Sequence, residues 1–137
     1  MEVVGTMFFE DKKLLIDKPR NRPTYQMIGG RVEEGETPKE AAIRECHEEL
    51  GEEATFDENL FEYIMDFDEI ATSDQKTPIH FTIYQYMGQL EGTINTSSEI
   101  EDFLWYETSF GEEILSNTLK NEVIPYCKEH ELIKWLK

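Results

Sequence analysis

Of 137 residues only two are cysteine, Cys46 and Cys127. Two thiols make no disulfide framework in a chain of this size, and neither belongs to a zinc-type spacing, so both are expected to be reduced. No run of 18 apolar residues occurs, which excludes a spanning helix. The first residues also lack the basic-then-apolar order of a secretory signal. A cytoplasmic protein with no membrane partner is the expectation. Basic residues are scarce too, 13 Lys and Arg against 30 Asp and Glu, for a formal charge of −17. That balance argues against diffuse attraction to nucleic acid or an anionic membrane. Repeats and low-complexity segments are absent. What remains, 39% apolar and 12% aromatic residues, suits one globular domain over 1–137.

The most informative segment is 30–51, GRVEEGETPKEAAIRECHEELG. Thr37-Pro38-Lys39-Glu40 predicts a helix start: a threonine cap, a proline in the first turn and a glutamate able to return the capping bond. Gly51 supplies the stop. Between them Glu45, Glu48 and Glu49 stand at i, i+3 and i+4, on one strip of helix surface, while Ile43, Cys46 and Leu50 form a second strip suited to docking on a sheet. Carboxylates at this spacing repel one another, and helix stability does not ask for them. A shared divalent cation would resolve the conflict.

In spacing and residue type the segment resembles the box of the Nudix hydrolases, Gx5Ex7REUxEExGU, with U a bulky aliphatic residue. Gly30, Glu36, Arg44, Glu45, Glu48, Glu49 and Gly51 occupy the specified positions. Cys46 takes the first U position, which a small buried apolar side chain can fill. Glu52 takes the last, so a more solvated exit from the helix is expected, with Ala54 or Phe56 packing in its place. The resemblance implies an α/β fold, the Nudix α/β/α sandwich with a mixed sheet, and it is specific over the box and loose elsewhere.

Local signals place the other elements. Val3 to Phe9 reads as a strand, joined through the polar turn 10–13 to Leu14-Leu15-Ile16 as a β-hairpin. Lys18 to Pro23 reads as a loop, and Tyr25 to Ile28 as a short strand feeding a glycine turn at Gly29-Gly30. Leu60 to Phe67 and Ile79 to Met87 form a second hairpin across the polar stretch 71–78. In the latter strand Phe81 and Ile83 face one way and Thr82, Tyr84 and Tyr86 the other. Phe103 to Tyr106 is a final strand. From Phe110 the pattern turns helical, with a capping box at Ser109 and Glu112, a stripe from Ile114 through Leu132-Ile133, and a start or kink at Pro125.

Mg²⁺ and Mn²⁺ take hard oxygen ligands, a few carboxylates beside substrate phosphates. By resemblance Glu48 and Glu49 are the principal ligands, often joined by Glu45 and by the backbone carbonyl of Gly29, while Glu36 and Arg44 hold the loop to the helix. The family cleaves a nucleoside diphosphate linked to a group X by attack of water on phosphorus. Relatives draw the base either from the box, here Glu45, or from a later loop, here Glu99, whose place six residues before Trp105 resembles that of the loop glutamate in the small bacterial-type 8-oxo-dGTP and nucleoside triphosphate pyrophosphohydrolases. Glu99 is then also a metal ligand, with Glu101 a weaker substitute. Six basic residues lie in the first 31 positions, among them Arg22 and Arg31, and these offset the acidity toward a polyanionic substrate. Tyr25, Phe67, Phe81, Tyr84 and Tyr86 offer a stacking surface for a base, with Phe81 better read as core and Tyr84 or Tyr86 as the residue lining a pocket. Cys46 reads as core and His47 as surface. No signature of the ADP-ribose, NADH or coenzyme A branches stands out. ADP-ribose, nucleotide sugars, dinucleoside polyphosphates and a non-catalytic nucleotide-binding module stay open beside nucleoside triphosphate hydrolysis. Homodimers are common in the family, and nothing in the sequence fixes an interface.

Overall fold

The computed structural model describes residues 1–71 and 74–135, and the chain forms two compact units. The first unit comprises Met1–Met7 and Ile28–Asn95. Its sheet is built on strand β1 (Glu2–Met7), which pairs antiparallel with β4 (Gln26–Arg31) and parallel with β7 (Pro78–Tyr86). Strand β7 pairs antiparallel with β6 (Phe61–Ile70), the expected hairpin. Of the polar stretch between them, residues 72–73 lie outside the described residues. The sheet is therefore mixed. Strand β7 alternates as expected, yet Phe81, Thr82, Ile83, Tyr84 and Tyr86 are all buried. Side chains on both of its faces are therefore covered, so alternation here marks direction and not exposure.

Helix α1 (Pro38–Leu50) packs on β1 and β7. It starts as the sequence predicts: Glu40 donates its N–H to the Thr37 hydroxyl (3.1 Å), and the Glu40 carboxylate accepts from the Thr37 N–H (2.9 Å). Ala41, Ala42, Cys46 and Leu50 are its buried residues. Gly51 ends it at φ 89°, a left-handed conformation that glycine adopts without strain. Glu52 is exposed and Ala54, in the short strand β5 (Ala54–Thr55), is buried in its stead. β5 pairs with β8 (Glu91–Gly92).

The second unit comprises Phe8–Met27 and Thr96–Lys137. Here β2 (Phe9–Glu10) and β3 (Lys13–Pro19) make a hairpin through Asp11 and Lys12, both at positive φ as a tight two-residue turn requires. This corrects the expected hairpin. Only Phe9-Glu10 pairs with β3, because the strand breaks at Phe8 and β1 takes other partners. The strand also runs through Lys18 and Pro19, which the sequence placed in a loop. Their ladder partner is β9 (Ile100–Tyr106), whose edge accommodates a proline with a register shift between Lys18 and Pro19.

The C-terminal helix starts later than expected. Ser109 donates to the Glu107 carboxylate (2.9 Å) and caps nothing. Ser116 is the cap instead, its hydroxyl accepting from the Leu119 N–H (3.3 Å). A π-type segment, Leu119–Val123, then gives way to α2 (Ile124–Glu129) at Pro125, whose missing N–H suits such a change of pitch. Leu132 and Ile133 fall beyond the helix. Cys127 is buried in this unit as Cys46 is in the first, no disulfide forms among the described residues, and burial pushes the Cys127 thiol up to about 12. No helix of the described residues is long and apolar enough to cross a membrane.

Candidate metal and phosphate site

Glycine governs how closely β4 approaches α1. Gly29 and Gly30 lie within the strand, not in a turn, and neither has positive φ. Their lack of a side chain serves proximity. A Cβ at Gly30 would fall 2.5 Å from Cδ and Oε1 of Glu45, and one at Gly29 would fall 2.0 Å from the Val4 carbonyl oxygen. The Gly29 N–H donates to Glu49 Oε1 (3.2 Å). Strand and helix thus meet where a methyl group would not fit.

Arg44 organises the loop between them. Its Nε and Nη2 donate to the two oxygens of Glu36 (both 2.8 Å), and Nη2 also donates to the Arg31 carbonyl (2.9 Å). Glu36 accepts a further bond from the Glu33 N–H (2.9 Å). Those bonds, led by Arg44, hold the Glu36 carboxyl down to about 2. A planar guanidinium gripping a carboxylate with two donors is a geometry that lysine cannot supply. The third nitrogen, Nη1, faces the acidic strip at 2.9 Å from Glu45 and 3.3 Å from Glu48.

The three strip glutamates differ in setting. The Glu45 side chain is 15% exposed and that of Glu48 is 58% exposed. Burial pushes the Glu45 carboxyl up from its ordinary range, against the opposing pull of Arg44. Among the described residues no three His, Cys, Asp or Glu side chains are gathered closely enough to hold a metal ion as they stand. Glu45 and Glu48 are turned onto Nη1 and Glu49 onto the Gly29 N–H. The donor set nonetheless fits a hard cation, for it consists of carboxylate oxygens beside a cradle that a Cβ at Gly30 would fill.

The remaining predicted residues fall as follows. In the first unit the Arg31 side chain is exposed, and Tyr84 is buried with its ring edge-on to Tyr63 at 6.3 Å between centroids. Tyr86, the other candidate, accepts from the Asp57 N–H (2.8 Å). His47 is exposed and lies against Phe56, with centroids 4.5 Å apart. In the second unit Arg22 and Glu99 are exposed. The Glu99 backbone is held at both ends, its N–H donating to the Ser97 hydroxyl (3.2 Å) and its carbonyl accepting from the Arg20 N–H (2.9 Å). Glu101 is engaged by Lys18 (3.0 Å). Tyr25, one of the sequence's aromatic candidates, donates its hydroxyl to Asp102, which pushes the phenol up to about 12. No local signal announces that pairing, since the partners are 77 residues apart in the chain.

A NUDIX domain model matches residues 1–123. The chain belongs to the Nudix family. It is a pyrophosphohydrolase of the class that acts on nucleoside diphosphate-linked substrates. Solved structures agree on the fold. The MutT protein from Methanosarcina mazei Go1 superposes with a TM-score of 0.74 at 18% identity, covering 96% of this chain and 95% of that one. A MutT NUDIX hydrolase from Burkholderia pseudomallei gives 0.72 at 18% identity, covering 87% and 92%. A C. elegans Ap4A hydrolase gives 0.67 at 15% identity, covering 94% and 97%. No curated protein sequence matches the chain. The expected Nudix α/β/α class with its mixed sheet therefore holds for this member of the family.

Proposed function

We propose that this Nudix hydrolase cleaves a nucleoside triphosphate, oxidised or not, to the monophosphate and pyrophosphate, using Mg²⁺ or Mn²⁺ held by Glu45, Glu48 and Glu49 with the Gly29 carbonyl and Glu99. The carrying observation is the close fit of Gly30 under the Glu45 carboxylate, which brings strand β4 against the acidic strip with no room for a side chain. A divalent ion there supplies charge neutralisation to the phosphoryl oxygens and acidifies the attacking water.

The chain's own residues do the rest. Arg44, fixed by Glu36, sets the rotamers of Glu45 and Glu48. Glu45 is the proposed base: its largely buried carboxyl, raised in affinity for a proton by that burial, suits accepting one from water. Glu99 is the loop alternative, on a backbone pinned by Ser97 and Arg20. Arg22 and Arg31 are the proposed counter-charges for the polyphosphate, and Tyr84 the proposed contact for the base. The reading takes residues 1–137 as one functional domain, in keeping with a family match that draws on both compact units. It takes the protein as cytoplasmic, its partners as small nucleotides with neither nucleic acid nor membrane, and leaves room for a homodimer.

Substrates of the ADP-ribose, nucleotide-sugar and dinucleoside polyphosphate kinds form the second reading, favoured by the Ap4A hydrolase among the structural matches. A panel of these compounds and nucleoside triphosphates with Mg²⁺ or Mn²⁺, read by phosphate release with added pyrophosphatase, separates the two. Glu48→Gln should abolish turnover while nucleotide binding persists. Wild-type protein that binds nucleotide but turns over no member of the panel would point instead to a non-catalytic binding module.

A further inference from the structure

Strands β6 and β7 carry a polar chain that hydrolysis leaves unused. His80 on β7 stands in register with Asp68 on β6 and Glu2 on β1, so all three side chains share one face of the sheet. Its Nδ1 lies 2.8 Å from Asp68 Oδ1 and its Nε2 lies 2.9 Å from Asp66 Oδ2. Asp66 also accepts from the Tyr63 hydroxyl, and Tyr63 in turn meets Tyr84 edge-on. An ionised carboxylate only accepts hydrogen bonds. With a carboxylate at each ring nitrogen, both nitrogens must donate, and only the imidazolium can do so.

The location gives this pattern a consequence. Strand β6 ends its sheet and has β7 as its ladder partner, while Tyr63 and Ile70 are each 54% exposed. We propose that Tyr63, Asp66, His80 and Asp68 form a pH-sensitive staple that fastens the edge strand β6 to β7 while His80 is charged and slackens when it is neutral. Deprotonation turns one ring nitrogen into an acceptor facing a carboxylate, and it strips Glu2, Asp66 and Asp68 of their shared cation. These three are the charges acting on His80 from the strands on either side, and β7 adds no other titratable acid or base but the phenols of Tyr84 and Tyr86. The nearby Met1 ammonium is engaged with the Pro78 carbonyl (3.1 Å).

The hydrogen bond to Asp68 is the main cause of a raised His80 pKa, desolvation opposes it, and the carboxylate charges reinforce it. A histidine raised on folding stabilises the fold in full below its unfolded value of about 6.5, and that contribution is lost as pH rises through the higher folded value.

Histidine NMR and amide hydrogen exchange on the whole chain, from about pH 5 to about pH 9, test the staple across the range where imidazole titrates. His80 should titrate above the ordinary histidine value with both nitrogens protonated below the midpoint. Across that midpoint, protection of residues 66–70, corrected for intrinsic exchange, should fall roughly threefold while that of β1 holds. His80→Gln should remove the step. A His80 midpoint at or below the ordinary value, protection that ignores the titration, or the same step surviving in H80Q would overturn the proposal. The first two outcomes are read on wild-type protein, so the test does not depend on the variant's folding.

Discussion

At the residue scale two adjacent glycines carry different burdens. A methyl group on Gly29 would run into the Val4 backbone, which cannot yield without breaking the pairing of β1 with β4, whereas a methyl group on Gly30 would meet the end of the Glu45 side chain, which can rotate away. Gly29→Ala is thus expected to impair folding. Gly30→Ala should leave the melting temperature nearly unchanged, yet lower hydrolysis and Mg²⁺ affinity about 10–100-fold by displacing Glu45, the scale seen when supports of a metal site are removed. Thermal melts, calorimetry with Mg²⁺ and steady-state rates would check this. Activity in Gly30→Ala within about twofold of wild type would mean that the position of Glu45 does not matter to the chemistry, far below the loss expected for a support of the site.

At the element scale α1 is specified by its immediate neighbours in sequence. Thr37→Ala removes one half of the reciprocal capping pair, and about 1 kcal/mol of stability should go with it. Denaturant unfolding would register that as a lower midpoint at unchanged slope; an unaltered midpoint would mean that docking on β1 and β7, not the cap, sets where the helix begins. The same locality explains what the sequence could disclose. The cap, the Glu45 strip and the Gly51 stop are all encoded within about four turns of chain, and they lie where expected. The glycine pair is visible in the sequence but its setting inside a strand is not, because the Val4 and Glu45 atoms that demand it come from other segments. The hairpin from β1 failed likewise: nothing between residues 3 and 16 announces that β1 will choose β4 and β7. Ser109 and Ser116 are equally plausible helix caps by composition. What selects Ser116 is Tyr25, whose N–H donates to the Ile114 carbonyl (2.8 Å) and whose carbonyl accepts from the Ser116 N–H (3.0 Å), holding 112–116 out of the helix.

At the scale of the whole molecule the formal charge of −17 sets a problem for any enzyme that must capture a polyphosphate. Repulsion at a distance slows encounter, and several of the basic side chains near the start of the chain are already committed, Lys18 to Glu101 and Arg20 to the Ser97 carbonyl (3.1 Å). Screening should therefore help this protein where it hinders a basic one. With Mg²⁺ saturating, raising monovalent salt from about 0.01 M to about 0.15 M shortens the screening length from about 30 Å to about 8 Å. KM for a nucleoside triphosphate should fall, kcat should hold, and the melting temperature should rise as self-repulsion is damped. The split between KM and kcat matters, since bonds made at the reacting phosphorus are too short to be screened in this way. A KM that climbs with salt would mean that local cations, Arg22 and Arg31 being the ones proposed, outweigh the net charge, and that capture is steered by a few residues against the field of the rest.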